Sequence, residues 1–218
     1  AGVSYGLVTA EVTLAEPYVT MDKEAGTGVG ETPAVYVENK PTLPEGVYSI
    51  SVAEQNDLVY TIYGNSVNPG TVQPDNPVSI LHIVDISSYP TITEVGTYEF
   101  PSNLQGWDIE VHGSYAYVAS GDAGITVIDV SDASSPQLVI TAAPSTVDGV
   151  THSFETVSVG SGFVVGTTGY GGEVFNISTP ALPTSTGSFI STYPRDVVIE
   201  TRTIDDEDAP ILFIADQR

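Results

Sequence analysis

Four consecutive acidic residues, Asp205, Asp206, Glu207 and Asp208, and an acidic turn over residues 121–124 are the densest sets of hard oxygen donors in the chain. Calcium takes roughly six to eight oxygens, several of them from carboxylates. Asp205, Asp206 and Asp208 are therefore candidate calcium ligands. Against this, neighbouring side chains of an extended segment point in different directions, and the D-x-D-x-D-G spacing of a dedicated calcium loop is missing. The plainer reading is a solvated acidic loop. His82, His112 and His152 fall at different points of the chain and none pairs with another at ligand spacing. There is no G-x-S-x-G elbow, H-E-x-x-H helix or P-loop. With no cysteine, thiolate metal sites, disulfides and thiol nucleophiles are excluded together. The expectation is a protein that is not an enzyme and needs no cofactor, with calcium as the one candidate ion.

A third set of polar residues recurs. Asp85, Asp129 and Asn176 each close an apolar run, in SILHIVDIS, GITVIDVS and GEVFNIS, and Glu11 holds the matching place in GLVTAEVTLAEP. A ring of acidic ligands is one reading. The competing one is structural: a short polar side chain at a strand end accepts from the backbone N–H two residues on and fixes the turn that follows.

The elements that carry these residues repeat. First strands read VYSISV (47–52), WDIEV (107–111), FETVSV (154–159) and DVVIE (196–200). Second strands read LVYTIYG (58–64), YAYVASG (115–121), GFVVGTTG (162–169) and ILFIADQ (211–217). Third strands end at the polar marker, and Pro90, Pro136 and Pro180 or Pro183 precede a further strand. The markers lie 44 and 47 residues apart, close to the period of about 40–45 residues of a four-stranded propeller blade. The fourth unit stops after its second strand, and residues 6–17 overlay 124–136 with Gly6 on Gly124 and Glu11 on Asp129. The expected fold is all-β: a small propeller of about four four-stranded blades. Its last blade would be completed by N-terminal strands of the same chain or of a neighbour, which removes an exposed sheet edge in either case.

The stretch GWDIEVHGSYAYVASGDAGITVIDVSDASSPQL (106–138), with ILHIVDISSYPTITEVG (80–96) matching its second half, resembles the LVIVD-repeat family of β-propeller proteins. The resemblance covers residues 45–218, most fully in one repeat. It implies a propeller fold and an exported, surface setting, and it supplies no active site. Asn176 and Glu11 depart from the family's usual Asp.

Composition points the same way. The chain has 218 residues, expected to form one domain, with 28 acidic against five basic residues and a formal charge of −23. Such a surface lacks the clustered Lys and Arg that nucleic acid or anionic membranes require. No uncharged stretch is apolar enough for a membrane span. The start at Ala1-Gly2, without Met, reads as a mature secreted protein after signal removal.

Residues 18–45 match no repeat and hold one candidate strand, AVYVEN (34–39). Loops of that length are functional or lack structure. The functional version is a docking arm in which Val35, Tyr36 and Val37 add to a neighbour's sheet. A second insertion, residues 65–77, is turn chemistry throughout, with three Pro and three Asn. The leading expectation is an extracellular structural subunit that polymerises with copies of itself by strand complementation. The alternative is a monomeric secreted propeller that binds a glycan, protein or small ligand on its rim.

Overall fold

The computed structural model describes residues 47–65, 78–89, 91–147, 150–151, 153–191, 194–204 and 207–216. Every regular element among them is a strand. The first sheet is β1 (Tyr48–Gln55), β2 (Leu58–Gly64), β3 (Ser79–Asp85) and β4 (Thr93–Glu99). The second is β5 (Asp108–His112), β6 (Tyr115–Ala119), β7 (Ile125–Asp129) and β8 (Gln137–Ala142). A short hairpin of β9 (Thr146–Val147) and β10 (Val150–Thr151) leads to the third sheet, β11 (Thr156–Gly160), β12 (Phe163–Thr168), β13 (Gly171–Asn176) and β14 (Thr184–Ile190). Last comes a two-stranded ribbon, β15 (Pro194–Ile204) with β16 (Glu207–Asp216). Each four-stranded sheet is an antiparallel meander in chain order.

Two-residue hairpins set the register of each meander. Asn56 and Asp57 both have φ near +60°, and Ser161-Gly162 likewise has both residues positive. This is the backbone that a type I′ turn needs to match strand twist. The three equivalent pairs Leu58↔Asp85, Tyr115↔Asp129 and Phe163↔Asn176 then place each polar marker opposite the first residue of a second strand. Prolines mark the outer strands: β8 begins directly after Pro136 and β14 directly after Pro183.

The sheets pack face to face. Tyr60, Ile62, Leu81 and Ile83 of the first sheet meet Ile109, Ala116, Val118 and Ile128 of the second in one buried cluster. The opposite face of the second sheet, with Tyr117, Ala119, Ile125 and Val127, meets Phe154, Val157, Val164 and Phe175. There the Phe154 and Phe175 rings stand edge to face at 6.0 Å. A smaller cluster joins Val165 of the third sheet to Val197 and Ile199 of the ribbon. Alternate residues of β6 thus feed two different cores, which explains why YAYVA is apolar throughout and not alternating. Burial pushes the Tyr117 hydroxyl up to about 12, with Tyr115 adding to the rise, and that hydroxyl donates to the Pro180 carbonyl at 3.2 Å.

One position behaves alike in the three sheets. Three residues before each marker stand His82, Thr126 and Glu173, all buried. Each bonds to the outer strand of its sheet: His82 Nε2 to Glu94 at 3.0 Å, Thr126 to Thr141 at 3.4 Å, and Glu173 to the Ser185 hydroxyl. Glu173 also accepts from Ser145 N at 2.8 Å, which ties the segment before β9 to the third sheet. A buried polar group needs such partners to be tolerated.

Candidate functional site: the last ribbon and an acidic centre

In the first three sheets the second strand is interior and almost wholly buried. Tyr60 and Ile62, Ala116 through Ala119, and Val164 and Val165 are 0–2% exposed. The ribbon breaks this rule. Its second strand, β16, pairs only with β15 among the described residues. Phe213 keeps 48% and Ile214 36% of its surface exposed, and Val198 beside them on β15 keeps 46%. The ribbon face carrying Val197, Ile199 and Leu212 is packed on the third sheet, and the face carrying Val198 and Phe213 is not. An apolar strand with an unpaired row of N–H and C=O groups is a template for another strand. Among the outer strands of the complete sheets, β4 carries Glu94 and Glu99 and β14 opens with Thr, Ser and Gly before Phe189 and Ile190, while β8 leaves Leu138 and Val139 partly exposed.

The ribbon also runs past the sheets it packs on. Measured from the residues that pair at matching places, Ser51↔Ile62, Asp108↔Ala119, Thr156↔Thr167 and Asp196↔Ala215, the hairpin turn arrives four residues later in the ribbon than elsewhere. The sequence suggested an acidic loop between residues 200 and 211. Instead both strands continue through it, with Asp208 in β16 opposite Thr203. Glu200 pairs with Arg202, whose guanidinium lies 5.8 Å from the Phe213 ring centre. Asp205 and Asp206 lie outside the described residues, as do Glu11 and the arm residues Val35, Tyr36 and Val37.

The markers act locally. Asp85 Oδ1 accepts from Ser87 N at 2.7 Å, Asp129 Oδ1 from Ser131 N at 2.8 Å, and Asn176 Oδ1 from Ser178 N at 2.8 Å. The Ser87 and Ser131 bonds hold the Asp85 and Asp129 carboxyls below the usual carboxylate range. Asn176, within the sequon Asn176-Ile177-Ser178, is half-buried and occupied by this bond. Among the described residues, no three His, Asp or Glu side chains are placed so that they could hold a metal ion. His82 lies buried in β3 and His112 ends β5.

Sequence reasoning missed a carboxylate that, among the described residues, links three sheets. Asp108 opens β5, where the first strands of three sheets meet. Its Oδ1 accepts from Ser51 Oγ of β1 at 2.6 Å and from its own neighbour Ile109 N at 2.9 Å. Its Oδ2 accepts from Val157 N of β11 at 2.9 Å. One side chain therefore bridges three sheets. Burial pushes the Asp108 carboxyl up, those three bonds pull it down, and the charge on Asp196 pushes it up again. Glu110 is raised by burial and by the charges of Asp108 and Asp196. The available signal was acidic residues on inward first strands, Asp108 and Glu110 in WDIEV and Asp196 in DVVIE.

The arrangement defines a class: tandem four-stranded antiparallel sheets built on one repeat, followed among the described residues by a two-stranded ribbon. Residues 105–143, which span β5 to β8, match the LVIVD repeat. No curated protein matches the chain. Among solved structures, the major allergen Mala s 1 of Malassezia sympodialis is similar at 12% identity, over 78% of this chain and 58% of that one, with a TM-score of 0.48. The CNH domain of AfRom2 is similar at 9% identity, over 90% of this chain and 71% of that one, with a TM-score of 0.34. This chain thus spans 58% of the length of the Mala s 1 structure.

Proposed function

We propose that the protein is a non-enzymatic extracellular structural subunit. In this reading it is a four-bladed β-propeller whose unfinished last blade is completed by the N-terminal segment of another copy, so that subunits join head to tail. A heterologous contact of that kind extends indefinitely unless its rotation closes a ring, and its product is a filament or surface layer. The observation that carries the reading is the exposure of β16, a strand whose counterparts in three sheets are interior. The N-terminal residues 6–17, which repeat the third-strand pattern, are the natural occupant. The formal charge of −23 opposes association, so added salt favours it. Residues 18–45 serve as the arm that lets the N-terminal strands reach a neighbour, and Val35, Tyr36 and Val37 add a second pairing segment. Export follows from the resemblance to LVIVD-repeat propellers and from the shortage of basic residues.

Negative-stain electron microscopy beside light scattering, at low and high salt, tests the proposal. Long regular fibres uphold it. Compact particles of 22.9 kDa under all conditions overturn it and favour the second reading, a monomer that closes on itself and binds a ligand at its rim. A variant lacking residues 24–44 tests the arm separately: the fold is expected to remain and assembly to fail.

A further inference from the structure

Resting on the assembly reading, we infer that the outward face of the ribbon, carrying Val198 and Phe213, packs on the β1–β2 face that carries Val52 in a second copy, and that the Asp196 carboxylate accepts from the N–H of the partner's Val52.

The same contact is made three times within the chain. With Ser51↔Ile62, Asp108↔Ala119, Thr156↔Thr167 and Asp196↔Ala215 as matching pairs, Tyr60, Tyr117, Val165 and Phe213 each stand two residues before the second-strand member. Val52, Ile109, Val157 and Val197 each stand one residue after the first-strand member. Tyr60 shares a buried cluster with Ile109 of the following sheet, Tyr117 with Val157, and Val165 with Val197 of the ribbon. All six are 0–4% exposed. The members left over are Phe213, 48% exposed, and Val52, 63% exposed. They are the two halves of a fourth contact of the same kind. Val59 and Thr61, on the Val52 face, are only half-buried, whereas their counterparts Ala116 and Val118 are 0% exposed.

The polar bonding repeats with the apolar contact. The four first-strand members alternate hydroxyl and carboxylate: Ser51, Asp108, Thr156, Asp196. Asp108 accepts from its own neighbour Ile109 N at 2.9 Å and, through its other oxygen, from Val157 N of the following sheet at 2.9 Å. Asp196 accepts from its own neighbour Val197 N at 2.8 Å through Oδ1, and the residue is exposed. Residues along an antiparallel strand alternate between those bonded to the partner strand and those whose N–H points away from it. Val52 has the place of Val157, so its N–H points away from β2 in the same manner and suits the second oxygen of Asp196. Charge fits as well. Arg202 lies on the ribbon face beside Phe213, and Glu54, on the Val52 face, stands where the other first strands carry Val111, Val159 and Ile199.

A second copy is the occupant because a single chain holds both faces and leaves both open to water. Joining the ribbon of one copy to the first sheet of the next is a heterologous contact, and such contacts propagate.

The protein has no cysteine, so single cysteines report the contact. Full chains carrying Val52→Cys and full chains carrying Phe213→Cys are mixed under assembly conditions, treated with a short bis-maleimide linker and run on a denaturing gel. Val52→Cys mixed with Val139→Cys, also at an exposed site, is the control. A mixed dimer several-fold above the yield from either variant alone and from the control upholds the inference. Fibres without that mixed dimer overturn the contact and leave the assembly reading standing. A chain carrying both Val52→Cys and Phe213→Cys that links within one monomer, while the mixture stays unlinked, overturns the second copy as occupant. Absence of fibres and of every link overturns the contact and the assembly reading together. Asp196→Ala tests the polar half: the concentration needed for assembly should rise roughly tenfold, as for the loss of one hydrogen bond to a charged group, while the unassembled subunit keeps its circular dichroism. An unchanged assembly concentration overturns the bond to the partner's Val52.

Discussion

The second sheet and the terminal ribbon are built from the same kind of strands and have opposite fates. In the sheet of β5 to β8, YAYVA is flanked on both edges by hydrogen-bonded strands and covered on both faces, so Ala116 through Ala119 are 0% exposed. In the ribbon, ILFIA has the same character but, among the described residues, one paired edge and one covered face, and Phe213 remains half exposed. The difference teaches that burial in this molecule is conferred by the neighbouring strands and not by the strand's own sequence. A strand of interior character with one paired edge among the described residues is where a contact with a further strand would be made.

Breaking that contact should have the largest effect. Removing residues 1–17 is expected to abolish fibres in electron micrographs while leaving the β-sheet circular dichroism of the first three sheets in place; fibres that persist would show that the edge of β16 is finished by something else. Next in size is a cavity on the complete side. Ile128→Ala should cost about 2–5 kcal/mol in urea unfolding, because Ile128 is 0% exposed between two sheets. Phe213→Ala in the unassembled protein should cost far less, under about 1 kcal/mol, since a half-exposed ring has less to lose. Equal costs would mean that the ribbon is already covered in the free subunit.

At the centre, Asp108→Ala strips the acceptors from Ser51 and Val157 and should lower stability by about 1–3 kcal/mol. The acidic centre also makes stability depend on pH in two directions. A carboxyl whose pKa is raised in the folded protein binds its proton more tightly folded than unfolded. As pH falls through the window just above the ordinary carboxylate value, near 4, Asp108 and Glu110 therefore add stability. Asp85 and Asp129 have lowered values, so their contribution is complete above that range and disappears as pH falls below it. The melting temperature should rise as pH falls from neutral towards the ordinary carboxylate range and fall once pH drops below it. Glu110→Gln should flatten the rise, and a rise undiminished in that variant would remove Glu110 from the account. The smallest effect is expected at the sheet ends: Asp129→Ala should lower the melting temperature slightly, because its bond to Ser131 is exposed to water.

Much of this was legible in the sequence because it is local. Apolar runs marked the first three strands of each four-stranded sheet, two-residue turns joined the first to the second, and prolines marked where the outer strands begin. The Asp-x-Ser bond spans two residues, so it can be read off a pattern. Asp108 could not, since its partners Ser51 and Val157 lie 57 and 49 residues away and nothing in WDIEV names them. The length of the ribbon was hidden for a related reason. Residues 201–210, TRTIDDEDAP, hold the polar and acidic residues of a loop, yet cross-strand pairing continues through them because the hairpin is extended by its own partner strand.

The three bonds of Asp108 have a bearing on how the chain folds. The carboxylate is desolvated at the centre, yet two of its acceptor contacts exist only after β1, β5 and β11 have come together. Until the third sheet arrives, a partly assembled pair of sheets holds a dehydrated charge with too few donors. Tandem-repeat chains often unravel one unit at a time. Here the first three sheets are expected to melt as a single cooperative block, and the ribbon, outside that bonding, to fray first.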